Sequence, residues 1–181
     1  MTAGGSPAGS RQHQPVTTGG FARARNSLRR AVIYVIATGI GHVVWETAQL
    51  PLYTIWWSGT ARENLVAVLH CTAGDVLITT TTLLIAALIG RFRGWYPFGS
   101  RMAFTAIAFG VAYTILSEWL NVAGWRSWSY SSMMPLLPWL GTGLSPVVQW
   151  LVAPSFAFAV TMRVRRDRQE QRPESRRTPT T

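Results

Sequence analysis

The sequence predicts an all-α fold, a polytopic integral membrane protein built as a bundle of four transmembrane helices. Three observations lead to this fold class. The 181 residues are 48% hydrophobic and only 13% charged, whereas roughly 25% of residues are charged in a soluble domain. Four windows are apolar over the roughly 20 residues that a helix needs to cross a bilayer. All seventeen basic residues are arginine, and most of them lie outside those windows.

The four predicted spans are separated by segments with turn and interface signals, such as SGTAREN at 58–64 and GRFRGWYPFGSR at 90–101. The first span follows a basic leader but lacks a small-x-small cleavage site, which favours a membrane anchor over a cleaved signal peptide. The flanking sequences, 1–27 and 164–181, have the polar and basic composition of disordered tails. The membrane domain therefore covers 28–163, with predicted spans at 28–50, 65–89, 102–120 and 144–162.

The distribution of arginine predicts the orientation. Five arginines precede residue 31, seven follow residue 162 and three lie in the 90–101 loop, whereas the 58–64 and 121–143 loops hold one each. By the positive-inside rule, both termini and the 90–101 loop face the cytoplasm across a plasma or bacterial inner membrane. The basic tails are interpreted as flanks that contact anionic membrane lipids, not nucleic acid, because this explanation requires no second partner.

Polar side chains in all four spans fall in the middle and outer half of the predicted membrane. Each charged residue near a helix centre costs roughly 2.5 to 3.5 kcal/mol on insertion, so we expect the acids to face the inside of the bundle, with the histidines as their partners. Counted from the predicted cytoplasmic ends at about 1.5 Å per residue, the depths are about 16 Å for His42, 22 Å for Glu46, 21 Å for Asp75, 28 Å for His70, 24 Å for Glu118 and 20 Å for Gln149.

These residues form the candidate site. His42 and Glu46, spaced i and i+4, share one helix face, as do Cys71 and Asp75. The outer loop at 121–143 is rich in tryptophan and proline and is predicted to fold back over the polar residues. The candidate catalytic residues are His42, Glu46, His70, Asp75 and Glu118, and the supporting residues are Cys71, Asn121 and Gln149.

The segment GHVVWE, residues 41–46, resembles the HxxxE helix of the EXPERA family, whose members include sterol isomerases that use membrane-buried acids as proton donors and acceptors. The resemblance covers one helix, and the remaining acids do not follow that family's order. It therefore implies an acid/base role for His42 and Glu46 alone. As a whole, the membrane region resembles the small four-helix membrane proteins of high-GC bacteria, a source that fits the lysine-free composition.

Several functions are compatible with such a cluster. Buried carboxyls and histidines can perform acid/base chemistry on a lipid or isoprenoid-like substrate, or can serve only as polar contacts between helices. A proton or ion path is a further alternative, and with four helices it would require a homodimer. No Ser-His-Asp order or glycine-rich phosphate loop is present, and no cofactor is indicated. A metal such as Zn, Mn or Fe would have His42, Glu46, His70 and Asp75 as candidate ligands.

Overall fold

The computed structural model describes residues 18–95 and 98–170. Within these residues the fold is all-α, without a β-strand, and four helices are long and apolar enough to cross a membrane, which confirms the predicted four-helix membrane bundle. The helices are α1 (Thr18–Gln49), α2 (Thr54–Ser58), α3 (Ala61–Phe92), α4 (Ser100–Trp119) and α5 (Leu144–Glu170). A 3-10 turn (Leu50–Leu52) follows α1, and a π-helical turn (Leu120–Gly124) extends α4.

The long helices extend beyond the predicted spans. Helix α1 begins within the segment 1–27, and α5 continues within the segment 164–181, both assigned to tails by composition. Arginine and alanine are strong helix formers, and adding a residue to an existing helix requires no new nucleation. The helix can therefore continue past the apolar residues. The rest of both tails, 1–17 and 171–181, lies outside the described residues.

The four long helices form a square in which α1 and α4 each pack against both α3 and α5. Glycines permit two of these contacts: a Cβ added at Gly41 of α1 would lie 3.1 Å from the Cβ of Ala153 in α5, and one at Gly110 of α4 would overlap the indole ring of Trp150. At Gly74 of α3, by contrast, an added Cβ would meet no atom within 4 Å. Gly74 instead faces open space.

One end of the bundle is filled by an apolar core layer. Its central contact joins Tyr34 of α1 to Phe98, with ring centroids 5.9 Å apart in an edge-to-face arrangement. These side chains close the interior next to the connection between α3 and α4. The layer consists of Tyr34, Leu83, Ala86, Phe98, Met102, Ala106 and Ala157, all buried.

The connection between α4 and α5, the outer loop, covers the opposite end of the bundle. The loop pairs with the segment after α1: the N–H of Thr54 donates to the carbonyl of Ser129 at 3.0 Å, and the N–H of Ser131 donates to the carbonyl of Leu52 at 2.8 Å. Within the loop itself, an isolated antiparallel β-bridge joins Leu136 to Gly143. The loop therefore holds an irregular but hydrogen-bonded shape over the helix ends, as its tryptophan and proline content suggested.

Candidate functional site

Helix α1 presents a stripe of polar residues to the interior near its C-terminal end. Thr38, His42, Glu46 and Gln49 recur at three- or four-residue spacing, so they lie on one face of the helix. The side chain of His42 is fully buried, and Glu46 and Gln49 are only 9% and 5% exposed. The predicted inward orientation of this face is confirmed.

Gln149 of α5 lies at the centre of the cluster. Its Nε2 atom is 2.8 Å from Nδ1 of His42, 2.9 Å from Oε1 of Glu46 and 3.0 Å from Oδ2 of Asp75. An amide nitrogen carries only two hydrogens, so it cannot donate to all three atoms at once. At most two of the three atoms therefore accept a hydrogen from this amide, and the third depends on another donor or carries a proton itself.

A chain of hydrogen bonds sets the direction of the Gln149 amide. The indole N–H of Trp45 donates to Oγ of Ser145 at 3.2 Å, and Ser145 donates to Oε1 of Gln49 at 2.8 Å. The Nε2 atom of Gln49 then donates to Oε1 of Gln149 at 3.1 Å and to Oε1 of Glu46 at 3.0 Å. The indole can only donate, and the Ser145 hydroxyl can accept from it while donating its own hydrogen to Gln49. In this arrangement the N–H groups of both glutamines point at the carboxyl groups.

Both oxygens of Asp75 have N–H partners. Oδ1 accepts from Nε1 of Trp150 at 3.2 Å, and Oδ2 accepts from Gln149 and lies 3.3 Å from Nδ1 of His42. Trp150 itself is only 2% exposed, because its ring packs into the interior over the backbone of Gly110.

The third acid, Glu118 of α4, has a separate partner in the outer loop. Its Oε2 atom accepts a short hydrogen bond from the phenol of Tyr130, and the same phenol oxygen accepts from the N–H of Gly143 at 2.9 Å. Burial of the phenol, together with the neighbouring carboxyl group, raises the pKa of Tyr130 above its ordinary value. The phenol therefore remains a donor and joins the loop to α4.

A cavity of about 640 Å³ lies between the helices and the outer loop, and its wall includes Glu46, Asp75 and Glu118. Cavities of this size hold small-molecule ligands in other proteins. Cys71, Asn121, Gln149 and Trp150 also contribute to the wall, whereas His42 does not. His42 can therefore reach a ligand only indirectly, through Asp75 or Gln149.

The predicted residues thus divide into groups. His42, Glu46 and Asp75 each contact the Gln149 amide, and Glu118, Cys71 and Asn121 share the cavity wall. His70 was expected to pair with an acid, but it is exposed at the edge of the cavity and forms no ion pair within the described part of the chain. It lies about 140° around the helix from Asp75, too far to share its buried face.

Three contributors were not identified from the sequence: Gln49, Trp150 and Tyr130. Gln49 could have been found, because it follows Glu46 by three positions and His42 by seven and so lies on the same helix face. Trp150 had no comparable signal, since the depth of a residue does not say which way its side chain points. Tyr130 reaches Glu118 only through the fold of the outer loop.

The metal alternative has no suitable ligand set in the described residues, where no group of three or more His, Cys, Asp or Glu side chains converges to hold an ion. Comparisons with protein-family models, curated proteins and solved structures give no match. The function is therefore argued from the chemistry of the cluster and its cavity.

Proposed function

We propose that the protein binds a lipid-derived or isoprenoid-like molecule in the cavity and transfers protons to and from it. The observation that carries this proposal is the position of Glu46 and Asp75, which line the cavity and lie within 3.0 Å of the same amide nitrogen. Within the described structure their only ion-pair contact is with His42, through Asp75. Two adjacent carboxyl groups without a cation hold a proton more readily than two negative charges.

The hydrogen bonds suggest different roles for the two acids. Asp75 receives N–H donors on both oxygens, which orient its carboxyl group, and we assign it the role of proton acceptor. Glu46 uses only Oε1 for hydrogen bonds among the described residues, which leaves Oε2 to carry a proton toward a ligand. Glu46 would add a proton to one carbon of the ligand and Asp75 would remove one from another. Return of that proton from Asp75 to Glu46 completes an isomerisation without any co-reactant.

The proposal includes a membrane setting. The arginine distribution supports a plasma or inner membrane with both termini in the cytoplasm, and the cavity would then open toward the outer leaflet, where membrane lipids are its natural partners. The transport alternative, with its homodimer, is less well supported, because the apolar core layer fills the end of the bundle away from the cavity. Among the described residues an ion would meet hydroxyl groups there, those of Tyr34, Thr79, Thr82 and Thr161, but no carboxyl group.

A purely structural role is the second candidate, and the Gln149 network favours it because it joins α1, α3 and α5. This role explains the burial of His42 and Gln149. It does not require a third carboxyl group, Glu118, or a cavity of about 640 Å³ beside the network. Acid/base chemistry on a bound molecule accounts for both.

Solvent deuterium reports proton transfer to carbon, whichever lipid is the substrate. The protein would be reconstituted into vesicles of total lipid from its expression host, incubated in D₂O and returned to H₂O before lipid mass spectrometry. We expect one lipid species to gain deuterium at carbon with the native protein but not with Glu46→Gln or Asp75→Asn. Thr47→Ala, at an exposed position beside Glu46, is the matched control and should retain the exchange.

The catalytic role and the purely structural role predict opposite results in this deuterium experiment. If no lipid gains deuterium in the native sample, or if the Asp75→Asn protein exchanges at the native rate, the catalytic proposal is wrong. A measurement of the free energy of unfolding for each variant shows whether loss of exchange merely follows loss of the fold.

A further inference from the structure

The cavity is long and has two chemically different ends. Its lining positions on α3 run from Ala67 to Ile78, which is about 16 Å of helix. The acids Glu46 and Asp75 lie toward the interior of the bundle. At the outer rim the lining residues are exposed and carry hydroxyl groups or a positive charge: Thr54, Ser58, Arg126, Ser127 and Ser129.

Arg126 is the only arginine among the described residues that line the cavity, and it occupies an unfavourable backbone conformation. Its φ of 53° lies in the left-handed region, which is sterically unfavourable for a residue other than glycine. Neighbouring hydrogen bonds hold the backbone there: Trp125 donates to the carbonyl of Leu120 at 2.7 Å, and Ser127 donates to that of Asn121 at 2.8 Å. Glycine or asparagine would suit this conformation better. The presence of arginine at this position is therefore explained by its side chain and not by the backbone conformation that arginine prefers.

The guanidinium of Arg126 forms no ion pair with any carboxylate of the described residues. A planar guanidinium presents parallel N–H donors that match the oxygens of a phosphate group. The rim hydroxyls of Ser127 and Ser129 add further donors beside it. The carboxyl groups deeper in the cavity would repel a negatively charged group and favour an uncharged chain.

We infer that Arg126 binds the phosphate head group of an amphiphilic ligand whose hydrocarbon chain extends inward to the acids. This inference rests on the proposed function and defines its substrate class: a phosphate-bearing lipid or isoprenyl phosphate, oriented with its head group at the membrane surface. The orientation brings carbon atoms of the chain, not the phosphate, to Glu46 and Asp75. The protein would thus recognise the head group, but the head group would take no part in the reaction.

Equilibrium binding of radiolabelled dodecyl phosphate to the purified protein in neutral maltoside micelles provides the test. Competition by unlabelled dodecanol and by inorganic phosphate separates the contributions of chain and head group. We expect Arg126→Gly to weaken binding of dodecyl phosphate at least tenfold without loss of the fold, since glycine adopts the left-handed conformation freely, and Arg126→Lys to weaken it less. Arg62→Gln, at an exposed arginine outside the cavity, is the control and should bind normally.

A second pair of variants locates the binding. Gly74 faces open space in the cavity wall, so Gly74→Phe should fill the cavity and abolish binding, whereas Ala73→Phe, at the neighbouring exposed position, should not. If Gly74→Phe abolishes binding but Arg126→Gly does not, or if dodecanol competes as well as dodecyl phosphate, the head-group inference is wrong while the cavity proposal stands. Binding that is unchanged in both variants, or is blocked by inorganic phosphate alone, overturns the inference. If neither amphiphile binds at all, the proposed function fails with it.

Discussion

Substitution of Gly110 by alanine should destabilise the protein, although alanine is the better helix former. A Cβ at this position would overlap the benzene half of the Trp150 indole, so the ring must move. Overpacking of this kind costs about 1 to 3 kcal/mol. Displacement of the ring also weakens its hydrogen bond to Asp75, and such a bond contributes about 0.5 to 1.5 kcal/mol.

Alanine gains about 1 kcal/mol over glycine in a helix interior, which offsets only part of these costs. We expect Gly110→Ala to lower the free energy of unfolding by about 2 kcal/mol, measured by SDS titration in mixed micelles. Gly74→Ala is the matched control. A Cβ at Gly74 meets nothing within 4 Å, so this variant should be unchanged or more stable.

A double-mutant cycle assigns the loss to the ring. Phenylalanine lacks the second ring whose atoms overlap the added Cβ, so Gly110→Ala should cost little in a Trp150→Phe background. The coupling between the two sites should therefore be about 2 kcal/mol. The packing argument is refuted if Gly110→Ala is as stable as Gly74→Ala, or if its cost is the same with and without Trp150.

Three further predictions concern the network, the outer loop and the orientation. Gln149→Leu removes the two N–H donors that three buried groups share. It should lower the free energy of unfolding by at least about 2 kcal/mol, at 1 to 3 kcal/mol per unsatisfied group. A loss below about 1 kcal/mol in SDS titration would contradict this account. Because the pKa of Tyr130 is raised above its ordinary 10.0 in the folded state, its bond to Glu118 should stabilise the protein fully below pH 10.0 and be lost as the pH rises further. Thermal unfolding should show a larger alkaline loss in the native protein than in Tyr130→Phe, which retains the buried Tyr34, and identical pH profiles would refute the prediction. Reporter fusions should place two sites outside (Thr60 and Ser132) and two in the cytoplasm (Tyr96 and Ser175), and a periplasmic signal at Tyr96 would overturn the proposed orientation.

The features that depend on hydropathy and on the rise per residue of a helix could be predicted from the sequence. Apolar length alone predicts four spans, and counting residues along each span brings Glu46, Asp75 and Gln149 to one level. The observed contacts through the Gln149 amide confirm that these side chains meet. The inward direction of the acids could also be predicted, since the cost of exposing carboxyl groups to lipid is large and does not depend on the details of packing.

Features that depend on packing between helices could not be predicted in the same way. Trp150 occupies the interior only because Gly110, on another helix, leaves room for its ring. Tyr130 meets Glu118 only because the outer loop pairs with the segment after α1. His70 was wrongly expected to pair with an acid. Its depth in the membrane suited such a pair, but its side chain lies on the exposed side of α3. Depth follows from a single helix, whereas side-chain partners depend on how two elements approach each other.

The apolar core layer between Tyr34 and Ala157 has an electrical consequence for the proposed chemistry. A charge that crosses the whole membrane does work of about 2.3 kcal/mol per 100 mV, so any cycle that takes a proton from one face and releases it at the other depends on the membrane potential. With the interior closed by apolar side chains at one end, protons reach Glu46 and Asp75 and leave them through the same face. Each turnover then moves no net charge across the bilayer. Proton exchange by the reconstituted protein should therefore proceed at the same rate in energised and in uncoupled vesicles.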